Sequence, residues 1–179
     1  LFSKGYITQL QSLHGDTSRP QGFGGKVKKL GKFHDYMKEW NPTTLLDYGC
    51  GKGHILEHLG ITYPNTQCEG YDPAVPFFSE IKRDTYECVF SNDVLEHIEP
   101  EFLDEVLHHI DKLSTRYVWL RIDTHPARKF LPDGRNAHIS LHDDDWWMEK
   151  LEEELTSCCT YYNLDKKGKF DVAFEKTNA

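Results

Sequence analysis

The sequence has 179 residues, 38% hydrophobic and 28% charged, a single domain's length with the balance of an ordinary globular chain, neither disordered nor fibrous. Its 29 acidic against 21 basic residues give a net charge of -8, which disfavours duplex nucleic acid and anionic membrane as partners. No apolar run approaches the roughly 20 residues of a spanning helix, and no cationic-then-apolar leader opens the sequence. The five cysteines (Cys50, Cys68, Cys88, Cys158, Cys159) show no zinc-like spacing, so a reducing, cytoplasmic setting is expected.

Residues 1–23 mix polar and aromatic side chains and run into the loop-forming Ser18-Arg19-Pro20-Gln21-Gly22-Phe23-Gly24-Gly25; a short helix is expected around Tyr6 to Leu13. From Gly25 to Trp40 the apolar residues Val27, Leu30, Phe33, Met37 and Trp40 recur at spacings of three and four, one helical face, and Asn41-Pro42 closes the element. The basic strip from Lys26 to Lys38 reads as the solvated side of that helix. Thr44 to Tyr48 is a short apolar strand, followed by the turn Gly49-Cys50-Gly51-Lys52-Gly53 and a helix carried by Ile55, Leu56 and Leu59 that Gly60 is expected to end.

Further strands are expected at Gln67 to Tyr71 and Tyr86 to Ser91. Pro100 opens a helix with Phe102, Leu103, Val106, Leu107 and Ile110 on one side. Tyr117 to Leu120 reads as a central strand, and a loop rich in Pro, Gly and His follows from Thr124 to Asp143. A helix with an acidic first turn runs from Asp144 to Leu155, with Trp147, Leu151 and Leu155 along one side. Cys158 to Leu164 and Phe170 to Phe174 form a hairpin about Asp165-Lys166-Lys167-Gly168. Strands alternating with helices predict one α/β domain over 1–179, with an N-terminal cap segment and helix over 1–40 and the core over 44–179. Its sheet is expected to be largely parallel and covered on both faces, with an antiparallel pair at the end.

The run Asp47-Tyr48-Gly49-Cys50-Gly51-Lys52-Gly53 carries the strongest chemical signal. Glycines at alternate positions after a strand permit a tight turn and close approach of a ligand to the backbone, and the next helix offers free N–H groups at its start. Asp72, just beyond the second strand, is placed to accept both hydroxyls of a ribose. The third glycine comes too early for a dinucleotide fingerprint, and Gly-Lys-Ser/Thr of a phosphate loop is missing. Asp47, ahead of the turn, suits a ligand with an ammonium group and is poor for a pyrophosphate.

Leu45-Leu46-Asp47-Tyr48-Gly49-Cys50-Gly51-Lys52-Gly53 resembles the first motif of the class I S-adenosylmethionine-dependent methyltransferases, and Glu69-Gly70-Tyr71-Asp72 resembles their second. Tyr86 to Ile98, containing Asn92-Asp93-Val94-Leu95-Glu96-His97, resembles their fourth-strand segment in the branch that reads Val-Leu-Glu-His. The resemblance covers roughly residues 44–123. It implies a Rossmann-like, seven-stranded sheet with helices on both faces, and transfer of a methyl group to a small-molecule or terminal nucleotide acceptor, at oxygen. It further implies that Gly49, Cys50, Gly51 and Gly53 cradle the methionine half of S-adenosylmethionine while Asp47 faces its amino group. Asp72 and Pro73 would hold the ribose, with Asn92 and Asp93 at the edge of the transfer cleft. Only 13 residues separate Asp72 from Tyr86, so the second helix and third strand of the family are expected to be reduced or lost. Glu80 and Asp84 are the weak candidates for an adenine contact.

Asp93, Glu96 and His97 fall at i, i+3 and i+4, a spacing that places them on one face of a helical turn. With His138 they form a candidate set for magnesium or another divalent ion, an arrangement similar to that of the small-RNA and ubiquinone-pathway O-methyltransferases. Without a metal, His138 or His97 is the candidate general base, with Asp93 beside it and His125 as a further cleft candidate. Tyr6, Gln9 and His14 are expected to close over the cofactor, and Phe23, Trp146 and Trp147 are candidates for the wall of an acceptor pocket, Trp146 ahead of Trp147, which fits the core stripe of its helix. The alternative function is a catalytically inactive protein that binds S-adenosylmethionine or S-adenosylhomocysteine.

Overall fold

The computed structural model describes residues 3–14 and 30–177. Six strands form one sheet: β1 Thr44–Tyr48, β2 Gln67–Tyr71, β3 Tyr86–Asn92, β4 Ser114–Asp123, β5 Cys158–Leu164 and β6 Lys169–Glu175. Their order is β2-β1-β3-β4-β6-β5; the first four are parallel, and β6 runs antiparallel to both β4 and β5. The helices are α1 Lys4–His14, α2 Gly31–Trp40, α3 His54–Thr62, α4 Leu103–Leu113 and α5 Asp144–Glu154.

Strand periodicity builds two cores, one on each face of the sheet. Leu46, Val89, Val118, Leu120, Val172 and Phe174 point one way, against Leu103, Val106, Leu107 and Ile110 of α4 and Trp147 and Leu151 of α5. Leu45, Cys88, Phe90, Tyr117, Trp119 and Ala173 point the other way, against Phe33, Met37 and Trp40 of α2 and Ile55 and Leu59 of α3. The apolar spacings seen in α2, α4 and α5 are therefore core faces. Asp143 caps α5, its Oδ1 accepting from the Trp146 N–H at 2.9 Å.

Two boundaries differ from the sequence expectation or sharpen it. Gly60 does not end α3: the helix runs on to Thr62, and the Tyr63 N–H closes it on Leu59 O. Gly60 is not among the left-handed glycines, so it makes no C-terminal turn there. Between Asp72 and Tyr86 the chain makes only a 3-10 turn, Pro76–Phe78, so the family's third strand is lost, its second helix is a single turn, and the sheet has six strands. The Asp72 N–H donates to Phe78 O at 2.8 Å, folding this segment back on the end of β2. No helix among the described residues is long and apolar enough to cross a membrane.

Candidate active site

Because β1 to β4 are parallel, their carboxyl ends open on one edge, where an α/β sheet carries its ligand crevice. A cavity of about 640 Å³ lies there, of ordinary small-molecule size. It is lined by Asp47, Tyr48, Gly49, Cys50 and Gly51 from the glycine turn, Asp72 and Pro73 after β2, and Asn92, Asp93, Val94, His97 and Ile98 after β3. Asp123, His125 to Lys129 and His138 come from the β4 end and the loop beyond it, Lys167 and Lys169 from the β5–β6 hairpin, Leu10 from α1 and Ile55 from α3.

Gly49 has φ 82° and Gly51 φ 53°, conformations that favour glycine. A Cβ on Gly49 would lie 2.4 Å from Val94 Cγ2, so this glycine also lets the turn approach the segment after β3. The Gly49 and Cys50 N–H groups both donate to Tyr71 O, at 2.7 and 3.1 Å. Asp72 ties the turn to β2: its Oδ2 accepts from the Gly51 N–H and its Oδ1 from the Ala74 N–H, each at 2.9 Å. Sequence reading assigned Asp72 to a ligand; the structure gives it this positioning task as well.

Asp47 is buried at 2% exposure, and its Oδ2 has no hydrogen-bond partner. Burial, with the Asp72 carboxylate beside it, pushes its carboxyl up to about 8. A buried acceptor left unpaired is costly, and an ammonium group at this end of the cavity would relieve it. The residues present therefore fit the amino-acid end of S-adenosylmethionine.

Glu96, His97 and His138 bring one ligand atom each to within 4.8 Å of one another. Glu96 is fully buried; its Oε1 accepts from the Asp123 N–H at 3.1 Å and its Oε2 has no hydrogen-bond partner. His97 Nδ1 lies 2.6 Å from Ala137 O, and His138 Nδ1 contacts His125 O. A ring N–H given to a carbonyl turns the opposite nitrogen into a lone pair and fixes the ring, as metal-binding histidines require. The two rings meet edge to face at 4.7 Å. Burial, then the neighbouring His138, lowers His97 to about 3, and burial lowers His138 as well, so both imidazoles are neutral at pH 7. Burial, then the Asp93 charge, raises Glu96 well above the usual carboxylate range. This donor set fits a divalent cation.

Asp93 is not in that set. Its residue takes a left-handed conformation, φ 55°, outside the 3-10 turn Leu95–His97, so the expected shared helical face does not form. Its Oδ1 instead receives Lys169 Nζ at 2.8 Å, and the same ammonium reaches Asp123 Oδ2 at 2.7 Å. Burial opposes the charge on Lys169, but the two carboxylates outweigh it and raise its pKa. Sequence reading missed Lys169 and Asp123. The carboxylate ending β4 was a readable signal, whereas nothing local joins Lys169 to a residue 76 positions away.

Of the other expected residues, Pro73, Asn92, Cys50 and His125 line the cavity, and Gly53, Glu80 and Asp84 do not. Tyr6 does not line it either, but its hydroxyl donates to His97 O from a buried position, while Gln9 Nε2 donates to Asp133 Oδ2 at 3.1 Å. Ser3 donates from both N and Oγ to the Glu99 carboxylate, at 3.0 and 2.8 Å. The N-terminal helix thus closes against the segment after β3, reaching the cavity through Leu10. Phe23 and the His14 side chain lie outside the described residues. Trp147 is the core residue its helical spacing predicts, and Trp146, whose ring centroid lies 3.5 Å from that of His142, does not line this cavity.

The family model described as a methyltransferase domain matches residues 21–172. No curated protein sequence matches the chain. Among solved structures, magnesium protoporphyrin IX methyltransferase from Synechocystis PCC 6803 with bound S-adenosylmethionine is similar, with a TM-score of 0.66 and 14% identity over 96% of this chain and 97% of that one. An O-methyltransferase family protein from Burkholderia thailandensis has a TM-score of 0.63 at 13% identity over 86% of this chain, which spans 57% of that protein's length. The 1,6-didemethyltoxoflavin-N1-methyltransferase of Burkholderia thailandensis has a TM-score of 0.60 at 14% identity, covering 97% of this chain and 90% of its own. At these identities the likeness is one of fold; the family model, matching most of the sequence, goes further. The chain belongs to the methyltransferase-domain family, an enzymatic family that uses S-adenosylmethionine.

Proposed function

We propose that the chain moves a methyl group from S-adenosylmethionine to a hydroxyl oxygen of a small-molecule acceptor. The observation that carries this reading is the buried Asp47 carboxylate with an unpaired oxygen, set at the end of β1 beside the left-handed glycines of a cavity of about 640 Å³. In this reading Asp47 takes the ammonium of the cofactor, and Gly49, Cys50 and Gly51 bring backbone against its methionine half. Asp72 and Pro73 meet the ribose, Asp72 through lone pairs not used by Gly51 and Ala74. Asn92 and Asp93 edge the cleft, Asp93 being held in place by Lys169. The cofactor supplies a methyl group on a sulfonium; the chain supplies position and an exit for the acceptor's proton.

In this reading His97, His138 and Glu96, which lie together beside the cavity, receive that proton. Burial leaves His97 a weak base, so His138 is the ring that accepts it directly, or the three can together hold a divalent ion. A metal-bound hydroxyl ionises more readily, which is the chemistry such an ion supplies. Two imidazoles with one carboxylate suit zinc or manganese better than magnesium, which prefers oxygen ligands. The Val94-Leu95-Glu96-His97 run and the later His138 support a place in the O-methyltransferase branch that reads Val-Leu-Glu-His.

Calorimetric titration with S-adenosylmethionine and S-adenosylhomocysteine tests the cofactor half, and micromolar binding is expected. Absence of binding by the folded protein refutes the reading. Metal-depleted protein assayed over a panel of hydroxyl acceptors, with zinc, manganese or magnesium restored, tests the other half. Cofactor binding without product across that panel favours a protein that binds the cofactor and no longer transfers its methyl group.

A further inference from the structure

The two ends of the cavity differ in charge. At the β1 and β2 ends it presents carboxylates, whereas at the β4 and β6 ends Arg128, Lys129, Lys167 and Lys169 line it with Asp93 and Asp123. Both of those acids are paired to one ammonium, that of Lys169. Two acids on one ammonium leave that trio at -1, so the four cations and two acids at this end together carry +2. Arg128 and Lys167 are exposed at the mouth, and among the described residues neither has a carboxylate within salt-bridge distance. The chain as a whole carries -8, so a mouth of this sign is the reverse of its average surface. Such a field draws in and orients an anion. Ile98 and Ala127 add apolar surface inside the cavity.

We infer that the acceptor is an anion: a compact molecule whose body enters the cavity toward Glu96, His97 and His138 while a carboxylate or phosphate remains at the mouth on Arg128 and Lys167. This rests on the methyl-transfer reading of the same cavity. A guanidinium offers paired donors that match either oxyanion, so the shared chemistry is a planar or tetrahedral oxyanion at the end opposite the reacting hydroxyl.

The test uses the whole chain with S-adenosylhomocysteine bound and two pairs of hydroxyl-bearing probes: 4-hydroxybenzoate against 4-hydroxybenzyl alcohol, and AMP against adenosine. Calorimetry is expected to show the charged member of at least one pair binding about tenfold more tightly, the size of two exposed charge contacts. The preferred pair tells carboxylate from phosphate. In the double variant Arg128→Gln/Lys167→Gln the preference is expected to vanish, and raising the salt concentration is expected to reduce it in the wild type. Charged members binding no better than neutral ones, or a preference that survives the double substitution, overturns the inference. The titration with S-adenosylhomocysteine that precedes each experiment reads out the underlying function separately: if the wild type does not take it, the methyl-transfer reading fails first. Both substituted side chains are exposed, and thermal unfolding of the variant checks that its fold is intact.

Discussion

Replacing Asp47 with asparagine is expected to stabilise the fold and weaken cofactor binding together, with a gain that depends on pH. In the folded protein burial and the nearby Asp72 raise the Asp47 carboxyl from 3.8 to about 8. A group whose pKa rises on folding contributes stability that is complete below its unfolded pKa and is lost as pH climbs through its folded pKa. Between these limits the loss approaches about 1.4 kcal/mol per pH unit. From pH 5 to pH 7 Asp47 therefore removes about 2–3 kcal/mol, and asparagine, which does not titrate, removes none. Urea unfolding of both proteins at the two pH values measures the difference, in which every other titrating group cancels to first order. The advantage of Asp47→Asn should grow by that amount at pH 7, corresponding to roughly 5–10 °C in a chain of this size. Its affinity for S-adenosylhomocysteine should fall by about ten- to a hundredfold, the value of a buried charge-assisted hydrogen bond. Wild-type binding at pH 7 should release protons as Asp47 ionises against the ammonium, seen as heats that vary with the buffer's ionisation enthalpy. Parallel stability profiles for the two proteins would refute the reasoning, because Asp47 would then already be ionised and paired.

Gly49→Ala should lower both stability and cofactor affinity, since φ is 82° and the new methyl would lie 2.4 Å from Val94 Cγ2; a loss of about 2 kcal/mol or more in chemical denaturation checks it. Asp171→Ala removes the carboxylate to which Arg121, buried at 9% exposure, donates from its Nη2 at 2.6 Å. Breaking such a pair should cost about 3–5 kcal/mol by urea unfolding, whereas replacing both residues with apolar ones should cost much less. His138→Ala should remove stoichiometric zinc binding, measured on metal-depleted protein, while leaving the glycine turn formed; unchanged zinc affinity would show that the ion is held elsewhere. Tyr6→Phe loses the hydrogen bond to His97 O, and hydrogen exchange in α1 should speed up while exchange in β1 and β3 stays slow.

Much of this molecule was legible along the chain. Spacings of three and four in Phe33, Met37 and Trp40, and in Leu103, Val106, Leu107 and Ile110, mark faces that are indeed buried. Glycines at 49 and 51 announce a turn because they are the residues that take left-handed φ without strain, and Asp47 and Asp72 flank it at positions fixed by the two strands. Even the missing third strand was countable, since 13 residues cannot hold a helix, a strand and their loops. These are local properties, or spacings between neighbouring elements, and a sequence carries them directly.

Tertiary structure decided what each charged group at the site does. Asp93 reads like a member of a helical turn with Glu96 and His97, yet a left-handed residue turns it toward Lys169, which arrives from the far end of the chain on β6. His138 joins Glu96 and His97 only because Ser140 and Ala137 dock on the segment after β3, the Ser140 N–H donating to Glu96 O at 3.1 Å and Ala137 O meeting His97 Nδ1. Asp47 has an ordinary side chain in sequence and an extraordinary one in the fold, because the surrounding strands remove its water. Ionisation and ion pairing depend on distance and desolvation in three dimensions, to which separation along the chain is nearly blind. The sequence thus determines that a ligand-binding turn exists and where it starts, and the packed sheet determines which of its acids are neutral, paired or left to meet a ligand.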